Sequence, residues 1–255
     1  MSLYSIVIGE GKPFLILHGF LGMSDNWKSQ GKRFSQLGYQ VHLIDQRNHG
    51  RSFHDEEFNY DVLAVDLKAY CDEHKLKDFI LLGHSMGGKT AMLFAAIHSE
   101  YIDKLIINDI SPRFYPVHHD RILEGLNALD LDSITARSQA DEFLSQYVPE
   151  VALKQFLLKN LYWKEKGQLA LRLNLEALTE NVGEVGEALP WQLIVDVETL
   201  FMRGDRSEYI SDDDIELIHA QFPNSRLVTI PEAGHWLHAD NPEVFFDEIK
   251  RFLND

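Results

Sequence analysis

The sequence is poor in cysteine, in basic residues and in long hydrophobic runs. Cys71 is the only cysteine among 255 residues, which excludes an intramolecular disulfide. Lys and Arg number 24 against 40 Asp and Glu, and the net charge of −16 disfavours nucleic acid and anionic membranes as partners. No apolar run approaches the ~18 residues that span a bilayer, and no basic-then-apolar signal segment opens the chain. These absences predict a cytoplasmic globular protein.

The chain does contain short, well-spread runs of Ile, Val, Leu and Phe. Residues 60–74, 86–98 and 242–253, which lie between or after these runs, have the spacing of helices. Apolar runs without polar alternation are typical of strands buried on both faces of a parallel sheet. Strands and helices in alternation predict an α/β fold with a mostly parallel, doubly wound sheet. The predicted strands are residues 5–8, 14–17, 41–44, 79–82, 105–107, 200–202 and 227–230.

Residues 115–189 break this alternation. The pattern there predicts helices at 120–129, 139–147, 151–163 and 169–179 and no strand, as in a lid inserted over the carboxyl edge of the sheet. The predicted domains are therefore an α/β core of residues 1–114 and 190–255 and a helical lid of residues 115–189. His118 and His119 open this lid, and we expect them to be exposed at a helix end.

The segment Gly83-His84-Ser85-Met86-Gly87 has the pattern Gly-x-Ser-x-Gly between a predicted strand and a predicted helix. A nucleophilic serine needs a strained turn that projects its hydroxyl, and side chains at the flanking glycine positions would collide in such a turn. The turn also begins a helix, where the Met86 N–H can donate to a developing oxyanion. Ser85 is therefore the predicted nucleophile, with Met86 as one donor of the oxyanion hole.

A second glycine-rich loop, His18-Gly19-Phe20-Leu21-Gly22, follows the predicted strand 14–17. Its glycines allow the backbone to fold over the site, so the Phe20 N–H can supply the second oxyanion donor. We expect His18 to hold this loop by hydrogen bonds.

His235 has the best context of the 12 histidines for a general base. It follows the last predicted strand, on a loop that leaves the carboxyl edge of the sheet, and Gly234 before it allows a tight turn. His238 is a nearby competitor, closer to the final helix. No group of His, Cys and Asp has convincing metal-ligand spacing, so no metal site is predicted.

Taken together, these motifs resemble those of the α/β-hydrolase superfamily over essentially the whole chain, and most closely those of small bacterial esterases of the YbfF type. The resemblance implies cofactor-free hydrolysis of small-molecule carboxylic esters or thioesters, and a structural role for the loop 45–52. The matching stretches are His18-Gly19-Phe20-Leu21-Gly22, Asp45-Gln46-Arg47-Asn48-His49-Gly50-Arg51-Ser52, Gly83-His84-Ser85-Met86-Gly87-Gly88-Lys89, Asp109-Ile110-Ser111-Pro112 and Gly234-His235-Trp236.

The acid that would orient His235 has two candidates. Many α/β-hydrolases carry it three residues after a glycine in the loop that follows the lid and one strand; here Gly204 leads to Ser207, which has no carboxylate. Asp205 in the same turn is one alternative. Asp109, at the end of the strand before the lid, is the other, and the resemblance to YbfF-type esterases implies that Asp109 serves.

The predicted function is hydrolysis of an ester or thioester through an acyl-serine intermediate. The same three side chains in this fold also serve carbon–carbon bond hydrolases and perhydrolases, and a slow-turnover receptor could retain them. Substrate identity, acyl length and oligomeric state stay open at this point.

Overall fold

A computed structural model describes residues 2–254; Met1 and Asp255, the end points of the predicted core, lie outside the described residues. The predicted strands are all present, and all but the first are two to four residues longer than their apolar runs. The strands of the described residues are β1 (Ser5–Ile8), β2 (Lys12–Leu17), β3 (Tyr39–Ile44), β4 (Phe79–His84), β5 (Ile102–Asn108), β6 (Leu161–Glu165), β7 (Gln168–Leu171), β8 (Thr199–Gly204) and β9 (Ser225–Ile230).

Seven of these strands form one sheet in the order β1-β3-β2-β4-β5-β8-β9. Only β1 is antiparallel to its neighbour, and each of the other pairs is parallel. The order runs outward in both directions from β2 and β4, so the sheet is doubly wound and mostly parallel, and the prediction is confirmed. In such sheets ligands bind at the carboxyl ends of the strands.

Helices cover both faces of the sheet. Leu15, Leu81 and Phe201 point to one face, where they pack against α2 (Tyr60–Glu73) and α3 (Met86–Ile97). Phe14, Ile80 and Leu200 point to the other face, where they pack against α1 (Lys28–Ser35) and α10 (Pro242–Asn254). The helices are α1 (Lys28–Ser35), α2 (Tyr60–Glu73), α3 (Met86–Ile97), α4 (Asp120–Asn127), α5 (Arg137–Leu144), α6 (Val151–Leu158), α7 (Leu175–Glu180), α8 (Ile215–Gln221), α9 (Leu237–Asp240) and α10 (Pro242–Asn254). Within the described residues, no helix is both long and apolar enough to cross a bilayer.

The inserted segment between β5 and β8 contains helices α4 to α7, but the prediction that it lacks strands is wrong. Helix α6 ends at Leu158 instead of reaching Trp163, because the Asn160 side chain donates to the carbonyls of Leu157 and Leu21 and stops the helical path. The chain then forms the antiparallel hairpin β6–β7, and Gly167, with φ +83°, supplies its turn. The hairpin strands are so short that their alternation was not distinct from a helical pattern.

The two ends of this insertion are joined at its base. The Tyr115 N–H donates to the carbonyl of Gly186 at 2.8 Å, and the Leu189 N–H donates to that of Pro112 at 2.9 Å. Lys89 of α3 is fully buried, and its amino group donates to the carbonyls of Arg113 at 2.5 Å and of Glu187 at 2.6 Å. A buried amino group therefore joins the helix that follows Ser85 to both ends of the insertion.

Candidate active site

Ser85 is the single residue between the end of β4 and the start of α3. Its backbone lies in the left-handed region, with φ 52° and ψ −119°, where a residue with a side chain is strained. Its N–H donates to the carbonyl of Asn108 at 3.0 Å, and its own carbonyl accepts from the N–H groups of Gly88 and Lys89. Bonds from the sheet and from the helix thus hold the strained turn.

The glycines around Ser85 are required by close backbone contacts. A Cβ on Gly83 would lie 2.2 Å from the carbonyl oxygen of Gly87. A Cβ on Gly87 would lie 2.6 Å from the carbonyl oxygens of Leu17 and His18. Strand β4, helix α3 and the end of β2 can therefore approach this closely only where side chains are absent.

Asp109 occupies the position after β5 that Ser85 occupies after β4. The two strands are in register at their last residues, where His84 pairs with Asn108. Asp109 also has a left-handed backbone, with φ +55°. The nucleophile candidate and one acid candidate therefore lie side by side at the carboxyl edge of the sheet.

Asp109 is fully buried and its carboxylate accepts three hydrogen bonds. His235 donates from Nδ1 to Oδ2 at 2.7 Å, the Ser207 hydroxyl donates to the same oxygen, and the Gly204 N–H donates to Oδ1 at 3.2 Å. Because Nδ1 is engaged, Nε2 is the nitrogen of His235 that remains available to accept a proton.

Burial shifts the pKa of both Asp109 and His235. Loss of hydration raises the pKa of the Asp109 carboxyl, and the hydrogen bonds from Ser207 and Gly204 oppose that shift. Loss of hydration also lowers the pKa of the His235 imidazole below its ordinary value. The shift at His235 favours a neutral imidazole, the form that can act as a base.

Asp205, the other acid candidate, lies apart from the imidazole. Its side chain is exposed, accepts from the Ala233 N–H at 3.1 Å and lies 3.9 Å from Arg206. It therefore supports the turn that precedes His235. Ser207, the position where the resemblance leads one to expect a carboxylate, instead donates its hydroxyl to Asp109.

Two further residues hold His235, and the sequence carried no local signal for either. The Tyr209 ring stacks on the imidazole, with centroids 3.8 Å apart and planes at 17°. His84 shares a hydrogen bond of 2.9 Å between its Nε2 and the His235 carbonyl. His235 is thus held by Tyr209 at its ring face, by Asp109 at Nδ1 and by His84 at its backbone carbonyl.

The glycine-rich loop after β2 lies against Ser85. A Cβ on Gly19 would lie 3.2 Å from the Ser85 Cβ. Phe20 and Met86 are both buried, and among residues 2–254 no acceptor is paired with the N–H of either. The structure therefore places two unused backbone donors beside the serine, on the loop and at the first position of α3.

Buried histidines hold this loop, as expected for His18. The Gln46 N–H donates to Nε2 of His18 at 3.0 Å, which leaves the Nδ1 proton for the Gly19 carbonyl at 2.9 Å. His49 accepts from the Leu21 N–H in the same way, at 3.2 Å. Burial lowers the pKa of His18 to about 4 and that of His49 to about 3, so both rings are neutral supports.

A large cavity of about 220 Å³ opens at Ser85 and His235, and the inserted segment forms much of its wall. A small cavity of about 20 Å³ adjoins it at Ser85. His118 and His119 line both cavities. His118 is also exposed, as expected, and its Nε2 lies 2.7 Å from the Tyr209 hydroxyl. Apolar side chains of the large cavity are Phe20, Leu21, Ile122, Leu153, Phe156, Leu157 and Trp236.

Among residues 2–254, no three His, Cys, Asp or Glu side chains are grouped so that they could hold a metal ion. Cys71 is buried in the core, and burial raises the pKa of its thiol to about 12.

The fold and this site define a class of protein. The sequence profile described as the alpha/beta hydrolase fold matches residues 12–146, and the chain belongs to that family. Esterase YbfF of Escherichia coli strain K12 is 34% identical over 96% of this chain and 94% of its own length. An sn-1-specific diacylglycerol lipase of Danio rerio is also 34% identical, over 96% of this chain and 79% of its own. A solved marine microorganism esterase is 39% identical with a TM-score of 0.95, and the match covers 99% of both chains. The predicted superfamily and the resemblance to the YbfF type are thus confirmed.

Proposed function

We propose that the protein hydrolyses carboxylic esters or thioesters through an acyl-serine intermediate, with Ser85 as nucleophile, His235 as base and Asp109 as the orienting acid. One observation carries this proposal: Ser85 and His235 line the same cavity, while Asp109, which is not part of that lining, binds Nδ1 of the His235 ring. The esterase and lipase names of the relatives support an ester as the substrate.

The first half-reaction forms the acyl-enzyme. His235 accepts the Ser85 proton at Nε2 as the serine oxygen bonds to the acyl carbon, and the N–H groups of Phe20 and Met86 donate to the oxyanion. The bond from the acyl carbon to the alcohol or thiol then breaks, and the leaving group takes the proton from His235. Asp109 holds the ring in the required tautomer and stabilises the imidazolium.

The second half-reaction releases the acid. A water molecule gives a proton to His235 and attacks the acyl carbon, and the bond to the Ser85 oxygen breaks as that oxygen recovers the proton. Water is the co-reactant, and the three side chains with the N–H groups of Phe20 and Met86 account for each step.

The test is steady-state hydrolysis of p-nitrophenyl butyrate combined with labelling by a fluorophosphonate. We expect both reactions in the parent protein, and we expect Ser85→Ala to abolish labelling and to lower kcat by on the order of 10⁵–10⁶-fold. Ser99→Ala, a change in the short turn after α3, is the matched control and should leave both unchanged. A single burst without turnover would contradict the proposal and favour a receptor, and cleavage of a diketone in place of esters would favour a carbon–carbon bond hydrolase.

A further inference from the structure

The two cavities that meet at Ser85 differ in size and in the catalytic groups that line them. The large cavity, about 220 Å³, is lined by His235 and by the Phe20 side of the glycine-rich loop. The small cavity, about 20 Å³, is lined by Met86 and not by His235. A volume of 20 Å³ is close to the space that one water molecule requires.

The chemistry assigns one part of an ester to each cavity. The leaving alcohol must take its proton from His235, so it has to depart on the side where that ring lies. The acyl carbon is bonded to the Ser85 oxygen, and its chain extends away from the leaving group. The alcohol part therefore lies in the large cavity, and the acyl chain enters the small cavity beside Met86.

We propose that the preferred substrates are esters of short acids, such as acetate, with large apolar alcohols. This inference rests on the proposed function and adds a substrate class to it. Ile122, Leu153 and Phe156 give the large cavity an apolar wall that suits a hydrocarbon alcohol.

The small cavity is closed by groups that cannot easily withdraw. Val182 and Val185, from the short turn Val182–Gly186, line this cavity together with Ile110. A Cβ on Gly186 would lie 2.0 Å from the Tyr115 carbonyl oxygen, so this wall is packed against the backbone at the start of the insertion. An acyl chain longer than that of acetate would have to displace that wall.

Two substrate series test the assignment. The first varies the acid, from p-nitrophenyl acetate through butyrate and hexanoate to octanoate, and the second varies the alcohol, from ethyl through butyl to hexyl and benzyl acetate, followed by acid release in a pH-stat. We expect kcat/KM to fall at least about tenfold from butyrate to octanoate. We expect kcat/KM to rise at least about tenfold from ethyl to hexyl acetate, in line with the free energy of burying methylene groups.

Two variants test which cavity determines the preference for the acid and which determines the preference for the alcohol. Val185→Ala should raise kcat/KM for the octanoate ester several-fold and leave the acetate series of alcohols unchanged. Leu153→Ala should weaken the preference for hexyl over ethyl acetate several-fold and leave the order of the acid series unchanged. Neither residue belongs to the catalytic machinery, and Ser85→Ala measures the background in both series.

Ser85-dependent hydrolysis with the reverse pattern, in which Val185→Ala alters the alcohol series or octanoate exceeds butyrate, would overturn this inference and leave the proposed function intact. Absence of Ser85-dependent hydrolysis with every ester would instead overturn the proposed function, and this inference with it.

Discussion

The core and the insertion contribute to the site in different ways. The side chains that the core supplies are held by buried hydrogen bonds: Asp109 accepts three, and His18 and His49 each use both ring nitrogens. The insertion supplies mainly apolar walls, such as Leu153 and Phe156, together with two histidines. Under the proposed function, this difference assigns the choice of the broken bond to the core and the choice of substrate to the insertion.

The largest expected effect of a substitution is at Asp109, the proposed acid, which belongs to the core. Asp109→Asn removes the charge that stabilises the His235 imidazolium and the acceptor that selects its tautomer, and we expect kcat to fall by about 10⁴-fold. Asp205→Asn is the matched control and should change kcat less than about threefold, because within residues 2–254 that carboxylate pairs with the Ala233 N–H and Arg206 and not with His235. Steady-state kinetics on an acetate ester measures both, and the opposite ranking would assign the acid to Asp205.

The next expected effect is on stability, at Lys89, which joins the core to the insertion. Lys89→Met removes the donor from the carbonyls of Arg113 and Glu187, and leaving such groups unpaired should lower the free energy of unfolding by about 3 kcal/mol. Lys68→Met, which removes an exposed ion pair with Asp72, should leave the urea midpoint nearly unchanged. Equal midpoints for the two variants would mean that Lys89 does not secure the insertion.

The buried histidines of the core should make stability depend on pH. Burial lowers the pKa of His18 from about 6.5 in the unfolded chain to about 4 in the folded protein, and it lowers the pKa of His49 to about 3. Their contribution is therefore complete above about pH 6.5 and is lost as the pH falls, by up to about 1.4 kcal/mol per pH unit for each ring.

Urea unfolding at pH 7.5 and 5.5 measures this loss. His49→Gln should lower stability at both pH values, but its loss between them should be smaller than that of the parent by about 1 kcal/mol. An unchanged difference would show that His49 is not buried as a neutral ring.

The smallest expected effect is at the wall of the insertion. Phe156→Ala removes an apolar ring from the large cavity, where it packs near Trp236, and should raise KM about three- to tenfold with kcat within about twofold. Phe143→Ala, which removes a ring that packs on Tyr147 in the same region, is the control and should leave KM unchanged. A large fall in kcat for Phe156→Ala would mean that the insertion also takes part in the chemistry.

Much of this arrangement could be predicted from the sequence, because the relevant signals are local. The strained turn at Ser85 needs glycines at fixed spacing, and His235 follows the last strand, so each is marked by its neighbours. Neighbouring residues in the sequence do not distinguish Asp109 from Asp205 as the acid, since the answer depends on which of the two turns lies against the His235 ring. The Ser207 hydroxyl and the Tyr209 ring were missed because each acts on a residue that is distant in the chain.

The insertion was predicted less well than the core. Its hairpin strands β6 and β7 have only five and four residues, too few to separate alternation from a helical pattern, and the end of α6 depends on a bond from Asn160 to Leu21 that lies far away in sequence. The cavity-lining roles of His118 and His119 likewise follow from how the insertion folds over the sheet.

The register of β4 with β5 has a mechanical consequence. Ser85 and Asp109 each follow the last residue of a paired strand, so the sheet carries both of them as one rigid body. His235 lies on the connection between β9 and α9, so contacts with Asp109 and Tyr209 hold its ring, and the register of the sheet does not. On warming, we therefore expect catalysis to fade as residues 231–236 loosen, at temperatures where the sheet itself is still intact.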